Sequence, residues 1–101
     1  MARKLFSFLG TGKYEPCYYY FNAEGERIVD DHHRSYVQES LVNLLPKAGK
    51  DLKEVVIFLT QEAWDSNWVK NNNKKYDAPG LKGALEKYAH TCTITPIKIP
   101  S

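Results

Sequence analysis

An unbroken apolar run, Val55-Val56-Ile57-Phe58-Leu59, is the feature that most constrains the fold of this chain. A strand in a half-exposed antiparallel sheet alternates apolar and polar residues, whereas a strand covered on both faces is apolar throughout. Thr60 is the first polar residue after the run, and it marks the end of the strand. The run therefore predicts the central strand of a parallel sheet.

Two further segments are strand-like. Leu5–Leu9 is a short, mostly apolar run that is stopped by Gly10-Thr11-Gly12. Its pattern predicts a second strand buried on both faces. Residues 92–95 form a third strand-like segment near the end of the chain. We expect residues 5–9, 55–60 and 92–95 to be neighbouring parallel strands.

Two helical segments separate these strands. Residues 36–46 and 79–89 repeat apolar positions at spacings of three and four, which predicts helices with one apolar face each. Ser35 and Gln38 match a capping box at the start of the first helix, and Asp77 is placed to cap the second. Strands that alternate with helices predict an α/β fold with a parallel sheet and flanking helices.

A tyrosine-rich segment lies between the first strand and the first helix. Residues 17–21 are rich in strand-forming residues, residues 22–26 are polar and contain a glycine, and residues 27–30 return as a second arm. This pattern predicts a β-hairpin inserted after the first strand. Its tyrosines are explained by packing rather than by chemistry, since neighbours on a strand point to opposite faces.

Composition excludes several classes of function. The 101 residues suffice for a single domain, 1–101. The chain has 14 basic and 12 acidic residues, and this excess of positive charge is too small for a protein that binds duplex DNA. Cys17 and Cys92 form no CxxC pattern, so we expect small buried hydrophobes and neither a zinc site nor a disulfide. No segment reaches the roughly 20 apolar residues of a membrane helix. We expect a cytoplasmic protein without a cofactor.

Two polar segments resemble binding sites, but each is better explained as a solvent-exposed part of the fold. Asp30-Asp31-His32-His33 resembles a metal cluster, but alternate strand residues point apart, so a solvated strand end is the better interpretation and no metal is expected. Residues 70–75 are polar and basic, which favours a solvated loop, with a lid over a negatively charged ligand as the alternative.

Residues that could bind a ligand follow two of the strands. In an open α/β sheet, ligands bind beyond the carboxyl ends of the strands. Gly10, Thr11, Gly12 and Lys13 follow the first strand, and they offer backbone N–H groups, a hydroxyl and a positive charge to an anion. The alternative is a simple tight turn.

A second set of candidates follows the central strand. Thr60, Gln61 and Trp64 are expected to face the glycine turn across a crevice. Trp64 could stack on a nucleobase or pack against the second helix, and for Trp68 packing is favoured. No Ser/His/Asp or Cys/His arrangement stands out in the sequence.

These segments together resemble the amino-terminal part of CRISPR-associated proteins with a CARF (CRISPR-associated Rossmann fold) domain. The resemblance is carried by residues 4–12, which contain the motif Ser-Phe-Leu-Gly-Thr-Gly, by the tyrosine-rich hairpin, and by residues 36–41 and 56–60. Within that family, the chain looks most like the subfamily of type III systems whose members open with this motif. The resemblance covers the chain but only part of a typical CARF domain, so a longer protein is expected.

The resemblance implies a sensor. CARF domains generally form homodimers that bind a cyclic oligoadenylate in a shared pocket and regulate an attached effector. The family's ligand contacts, carried onto this sequence, are Gly10, Thr11, Gly12, Lys13, Thr60, Gln61 and Trp64. The alternatives are a ring nuclease that cleaves the cyclic oligoadenylate, with Lys13 as the one nameable acid or base, and a fragment with a structural role in an assembly.

Overall fold

The computed structural model of the protein describes residues 3–100, with the backbone alone at Ala23. Helices and strands alternate after an initial strand and a hairpin. In chain order the elements are β1 (Arg3–Leu9), β2 (Tyr20–Ala23), β3 (Glu26–Val29), α1 (Val37–Lys47), β4 (Leu52–Leu59), α2 (Gln61–Ala63), a π-helical turn (Trp64–Trp68), α3 (Leu81–Leu85), a 3₁₀ turn (Glu86–Tyr88) and β5 (Thr93–Lys98).

The main sheet has three parallel strands in the order β1-β4-β5. The apolar run lies in β4, at the centre of the sheet, as its composition predicts. Leu9 pairs with Leu59, and Leu59 pairs with Lys98, so the three carboxyl ends lie at one edge. The sequence-based expectation of a mixed α/β fold with three neighbouring parallel strands and flanking helices is confirmed.

The core lies between the sheet and the helices. Val55, Ile57 and Leu59 of β4 point into it and are almost completely buried, together with Leu81 and Leu85 of α3. Burial of a side chain of this size contributes roughly 1.5–3 kcal/mol each. Because all of these β4 residues have odd numbers, one face of the sheet carries most of the core.

The opposite face of the sheet is apolar but open. Phe6 and Phe8 of β1 are 60% and 70% exposed, and Phe58 of β4 is half-buried between them, with 5.4 Å separating the Phe8 and Phe58 ring centroids. Val56 is buried on this face. The expectation that β1 is buried on both faces is therefore wrong. Among residues 3–100 the helices that build the core all pack on the other face.

Both helix starts differ from the predicted caps. α1 is preceded by Tyr36 in an extended conformation, with no side-chain cap, so the capping box of Ser35 does not form. Gln38 instead donates a hydrogen bond to the carbonyl of Phe8 at 2.9 Å, which ties α1 to β1. The N-cap of α3 is Gly80 rather than Asp77. No helix within residues 3–100 has the length and apolar character needed to cross a bilayer.

The tyrosine-rich segment folds as a separate two-stranded sheet. β2 and β3 pair antiparallel around Glu24 and Gly25, whose φ angles of 53° and 82° fit a type I′ turn. β2 begins later than predicted, because Cys17 makes an isolated bridge with Arg34 instead of extending the strand. Cys92 is buried as predicted, but Cys17 is exposed, and both thiols are free.

Asp30 is a buried hub rather than part of a solvated strand end. It is 1% exposed, and its carboxylate accepts hydrogen bonds from the Arg34 Nε at 2.9 Å and the Ser40 hydroxyl at 2.6 Å. Burial alone would raise its pKa, but the hydrogen bonds from Arg34, Ser40 and the backbone N–H of His32 outweigh burial and lower the pKa to about 2. Glu39 of α1 pairs with the same guanidinium at 2.9 Å. The network joins the end of the hairpin to α1.

Candidate functional site

Two loops leave the sheet at its carboxyl edge. Gly10 follows β1 and Thr60 follows β4, and the pairing of Leu9 with Leu59 sets the two loops side by side. The glycine turn (Gly10–Lys13) and the start of α2 are therefore neighbours, as the sequence predicts. This edge is where an open parallel sheet presents its backbone to a ligand.

The carbonyls of the glycine turn are held by asparagine side chains. Asn67 in the π-helical turn donates from Nδ2 to the carbonyls of Gly10 and Gly12, each at 2.9 Å. Asn72 donates from Nδ2 to the carbonyl of Thr11, also at 2.9 Å. Three successive carbonyls thus point towards the segment that follows α2.

The direction of these carbonyls fixes the direction of the next three N–H groups. Each peptide bond within residues 3–100 is trans, and in a planar trans peptide the C=O and N–H point in opposite directions. The N–H groups of Thr11, Gly12 and Lys13 therefore point away from the asparagines, and no group within residues 3–100 accepts a hydrogen bond from them. Backbone N–H groups without a partner inside the protein can donate to an anion.

Side chains add to these donors. Thr11 and Lys13 are both exposed on the turn. No carboxylate of residues 3–100 forms a salt bridge with the Lys13 ammonium. The turn therefore carries three backbone donors, one hydroxyl and one positive charge that a ligand could use.

Thr60 and Gln61 already have partners. The Thr60 hydroxyl oxygen accepts from the N–H of Ala63 at 3.2 Å and so caps α2. The Gln61 side chain accepts from the Lys98 ammonium at 2.9 Å and donates to Asp65 at 3.0 Å. Thr60 lies beside the glycine turn, whereas the functional groups of Gln61 are turned towards β5 and the π-helical turn.

Trp64 lies apart from the glycine turn. The Lys98 ammonium sits 4.3 Å from the centre of its ring, and the Trp68 ring is 5.7 Å away. A cavity of about 270 Å³ beside the two rings is bordered by Ile94 and Pro96 of β5 and by no residue of the turn. Trp68 is 2% exposed in the core, in line with its predicted packing role. The structure thus groups Trp64 with β5.

The segment after α2 is the part of the site that sequence reasoning missed. Residues 70–75 were expected to form a solvated loop, but Asn71 and Asn73 are buried, and Asn73 Nδ2 donates to the carbonyl of Tyr14 at 3.2 Å. The signal in the sequence is the run Asn71-Asn72-Asn73, because an amide can donate and accept within the protein, whereas the neighbouring lysines remain exposed.

Two other polar clusters are occupied by their own partners. Asp30, Asp31 and His32 place ligand atoms within 4.8 Å of one another, but both oxygens of Asp30 accept hydrogen bonds from Arg34, whose charge opposes a cation there. A cavity of about 320 Å³ lies beside Arg34 and Lys87. Both cations are paired with Glu39, at 2.9 and 2.7 Å. Neither the Arg34 guanidinium nor the Lys87 ammonium is therefore an unpaired positive charge for a ligand in this cavity.

The comparisons with known proteins do not assign the chain to a family. Models of protein families, curated proteins and solved structures were searched, and none of the three comparisons found a match.

Proposed function

We propose that the chain is a CARF-type domain with a Rossmann-like sheet that senses cyclic oligoadenylate in a type III CRISPR defence protein. The observation that carries the proposal is the set of unpartnered N–H groups at Thr11, Gly12 and Lys13, at the carboxyl edge of a parallel sheet, together with a Lys13 ammonium that forms no salt bridge within residues 3–100. The proposal also rests on the resemblance of residues 4–12 to the opening strand and turn of these domains.

The chemistry of the turn suits a phosphate of such a ring. Backbone N–H groups can bind oxyanions without the mutual repulsion of several converging lysines, and Lys13 adds one charge-assisted contact. The near-neutral chain, with a formal charge of +2, is compatible with a ligand that presents only one or two phosphates to each subunit. A ring with two-fold symmetry would be shared by a cytoplasmic homodimer, since a closed symmetric assembly presents the same site twice.

Titration calorimetry with cyclic tetra-adenylate and cyclic hexa-adenylate tests the proposal, with linear tetra-adenylate as the control for a non-cyclic ligand. We expect one of the rings to bind and the linear form to bind more weakly. Native mass spectrometry of the same samples should report two chains for each ring. Absence of binding by both rings at low salt would contradict the proposed function.

Variants of the turn locate the binding site. Lys13→Ala should weaken ring binding by about tenfold or more and flatten its salt dependence, because a charge-assisted hydrogen bond contributes roughly 1.5–3 kcal/mol. Thr11→Ala should weaken binding by a few-fold to about tenfold, the range expected for a neutral hydrogen bond. Lys53→Ala is the matched control, since Lys53 is equally charged but lies on β4 and pairs with Asp51.

The comparison of these variants separates a binding turn from a structural one. If Lys13→Ala and Thr11→Ala bind the ring as the unmodified protein does, the glycine turn is a turn only. The ligand would then have to bind near Thr60 and Trp64 or outside this chain.

A further inference from the structure

We infer that Asn67 is a positioning residue that makes the glycine turn a site for anions. The inference builds on the proposed function, because it concerns how the same turn comes to present donors. Asn67 does not face the ligand itself, since its side chain is fully buried in the described structure. It acts through the two peptide groups that it holds.

The Asn67 amide uses all of its hydrogen-bonding capacity. Its Nδ2 donates to the carbonyls of Gly10 and Gly12 at 2.9 Å. Its Oδ1 accepts from the Tyr36 hydroxyl and from the N–H of Asn72, both at 3.2 Å. Burial raises the pKa of Tyr36 to about 12, so the phenol keeps its proton and remains a donor. The bonds to Oδ1 therefore fix the amide in place, and the two bonds from Nδ2 set the direction of the carbonyls in the turn.

This orientation decides which kind of ligand the turn can accept. A half-turn of the peptide after Gly10 or Gly12 would change ψ of the glycine, which tolerates it, and would drive φ of Thr11 or Lys13 from negative to positive values. The orientation of each peptide is therefore set by the balance between this backbone cost and the hydrogen bonds of Asn67. Rotation would turn carbonyl oxygens outward, and those oxygens are ligands for cations. With Asn67 in place the carbonyls point inward, and the N–H groups of Thr11 and Lys13 point outward.

The two N–H donors of the Asn67 amide hold the carbonyls of Gly10 and Gly12. Aspartate has nearly the same shape but, when ionised, accepts hydrogen bonds and donates none. In Asn67→Asp an ionised carboxylate would face the carbonyl oxygens of Gly10 and Gly12 without a donor between them. We expect both peptides to rotate in spite of the positive φ that rotation imposes on Thr11 and Lys13. The N–H groups of Thr11 and Lys13 would then donate inward, and the turn would lose its outward donors.

Amide hydrogen exchange measured by NMR tests the predicted rotation of the two peptides without any ligand. In the unmodified protein the N–H groups of Thr11 and Lys13 should exchange rapidly. In Asn67→Asp their exchange should slow by at least about tenfold, the protection given by a hydrogen bond to a carboxylate. Lowering the pH until the carboxyl is protonated restores one donor and should reverse the protection. Asn22→Asp, at an exposed position of β2, is the control for the change in charge.

Calorimetry with cyclic tetra-adenylate and cyclic hexa-adenylate supplies the second measurement. Asn67→Asp should weaken binding of whichever ring the unmodified protein binds by about tenfold or more, and Asn22→Asp should leave it within about twofold. Unchanged exchange of Thr11 and Lys13 in folded Asn67→Asp would overturn the inference, whether or not the ring binds. Altered exchange together with no binding by the unmodified protein would refute the proposed function and leave the role of Asn67 standing.

A second variant covers the case in which Asn67→Asp fails to fold. Asn72 is half-buried, and within residues 3–100 its side chain donates to the Thr11 carbonyl alone, so Asn72→Ala releases one peptide of the turn while the backbone N–H of residue 72 keeps its bond to Asn67. We expect the amide chemical shift of Gly12 to move while those of Thr11 and Lys13 stay near their original values. A Gly12 signal that does not move would show that the asparagines do not orient the turn.

Discussion

Replacement of Asp30 by asparagine removes the charge at the centre of the buried network while keeping the shape of the side chain. The carboxylate accepts two hydrogen bonds from Arg34, at 2.9 and 3.3 Å, and one from Ser40 at 2.6 Å. Loss of one partner of a buried ion pair costs roughly 3–5 kcal/mol. Because Arg34 also pairs with Glu39, we expect the lower end of that range, about 3 kcal/mol.

The pKa of Asp30 gives an independent magnitude. Its value falls from 3.8 to about 2. At about 1.4 kcal/mol for each pKa unit, this difference stabilises the folded protein by roughly 2–3 kcal/mol. The folded pKa is depressed, so this stabilisation is complete above about pH 4 and is lost as the pH falls towards 2. Two separate arguments thus give a similar free energy.

Urea unfolding followed by the fluorescence of buried Trp68 measures the effect. Asp30→Asn should lower the free energy of unfolding by about 3 kcal/mol at pH 7 and should show a smaller loss of stability between pH 4 and pH 2 than the unmodified protein. Asp31→Asn is the matched control, because the Asp31 side chain is 76% exposed and should change stability by less than about 0.5 kcal/mol. Equal stabilities of the two variants at pH 7 would refute the account of Asp30 as a buried hub.

Two further substitutions test close packing and the role of the hairpin. Gly80→Ala should lower the free energy of unfolding by about 1–3 kcal/mol, because its Cβ would lie 2.5 Å from the Trp68 carbonyl oxygen, whereas Gly12→Ala, with nothing within 4 Å, should be nearly neutral in the same urea titration. Equal effects of the two would contradict the close approach at Gly80. Tyr19→Phe should leave the affinity for cyclic oligoadenylate within a few-fold in calorimetry, and a hundredfold loss would place its hydroxyl in the site.

Several parts of the fold follow from local sequence because local physics decides them. The apolar run of β4 has no polar position to expose to water, so a central place in a parallel sheet is its stable environment. Glu24 and Gly25 adopt positive φ angles at the tip of the hairpin, where glycine carries little steric cost. The neighbouring positions of Gly10 and Thr60 follow from the parallel order of two strands, which alternation with a helix predicts.

Other parts depend on residues that are far apart in the sequence. Ser35 satisfies the local pattern of a capping box, yet Tyr36 precedes the helix and Gln38 bonds to Phe8 of β1, because tertiary contacts offer these groups better partners. Asp30 was expected in solvent, since nothing in its immediate sequence reveals that Arg34 and Ser40 enclose it.

In the glycine turn, too, some properties follow from the local sequence and others from distant residues. Its residue types and its place after β1 indicate an anion site from the sequence alone. The direction of its N–H groups is set by the Asn67 amide, which is 57 positions from Gly10 and 55 from Gly12. Each carbonyl of the turn needs a hydrogen-bond partner, and nothing within residues 10–13 names a partner so distant in the sequence. The sequence could therefore predict which residues form the turn, but only the tertiary structure decided which way their peptide groups face.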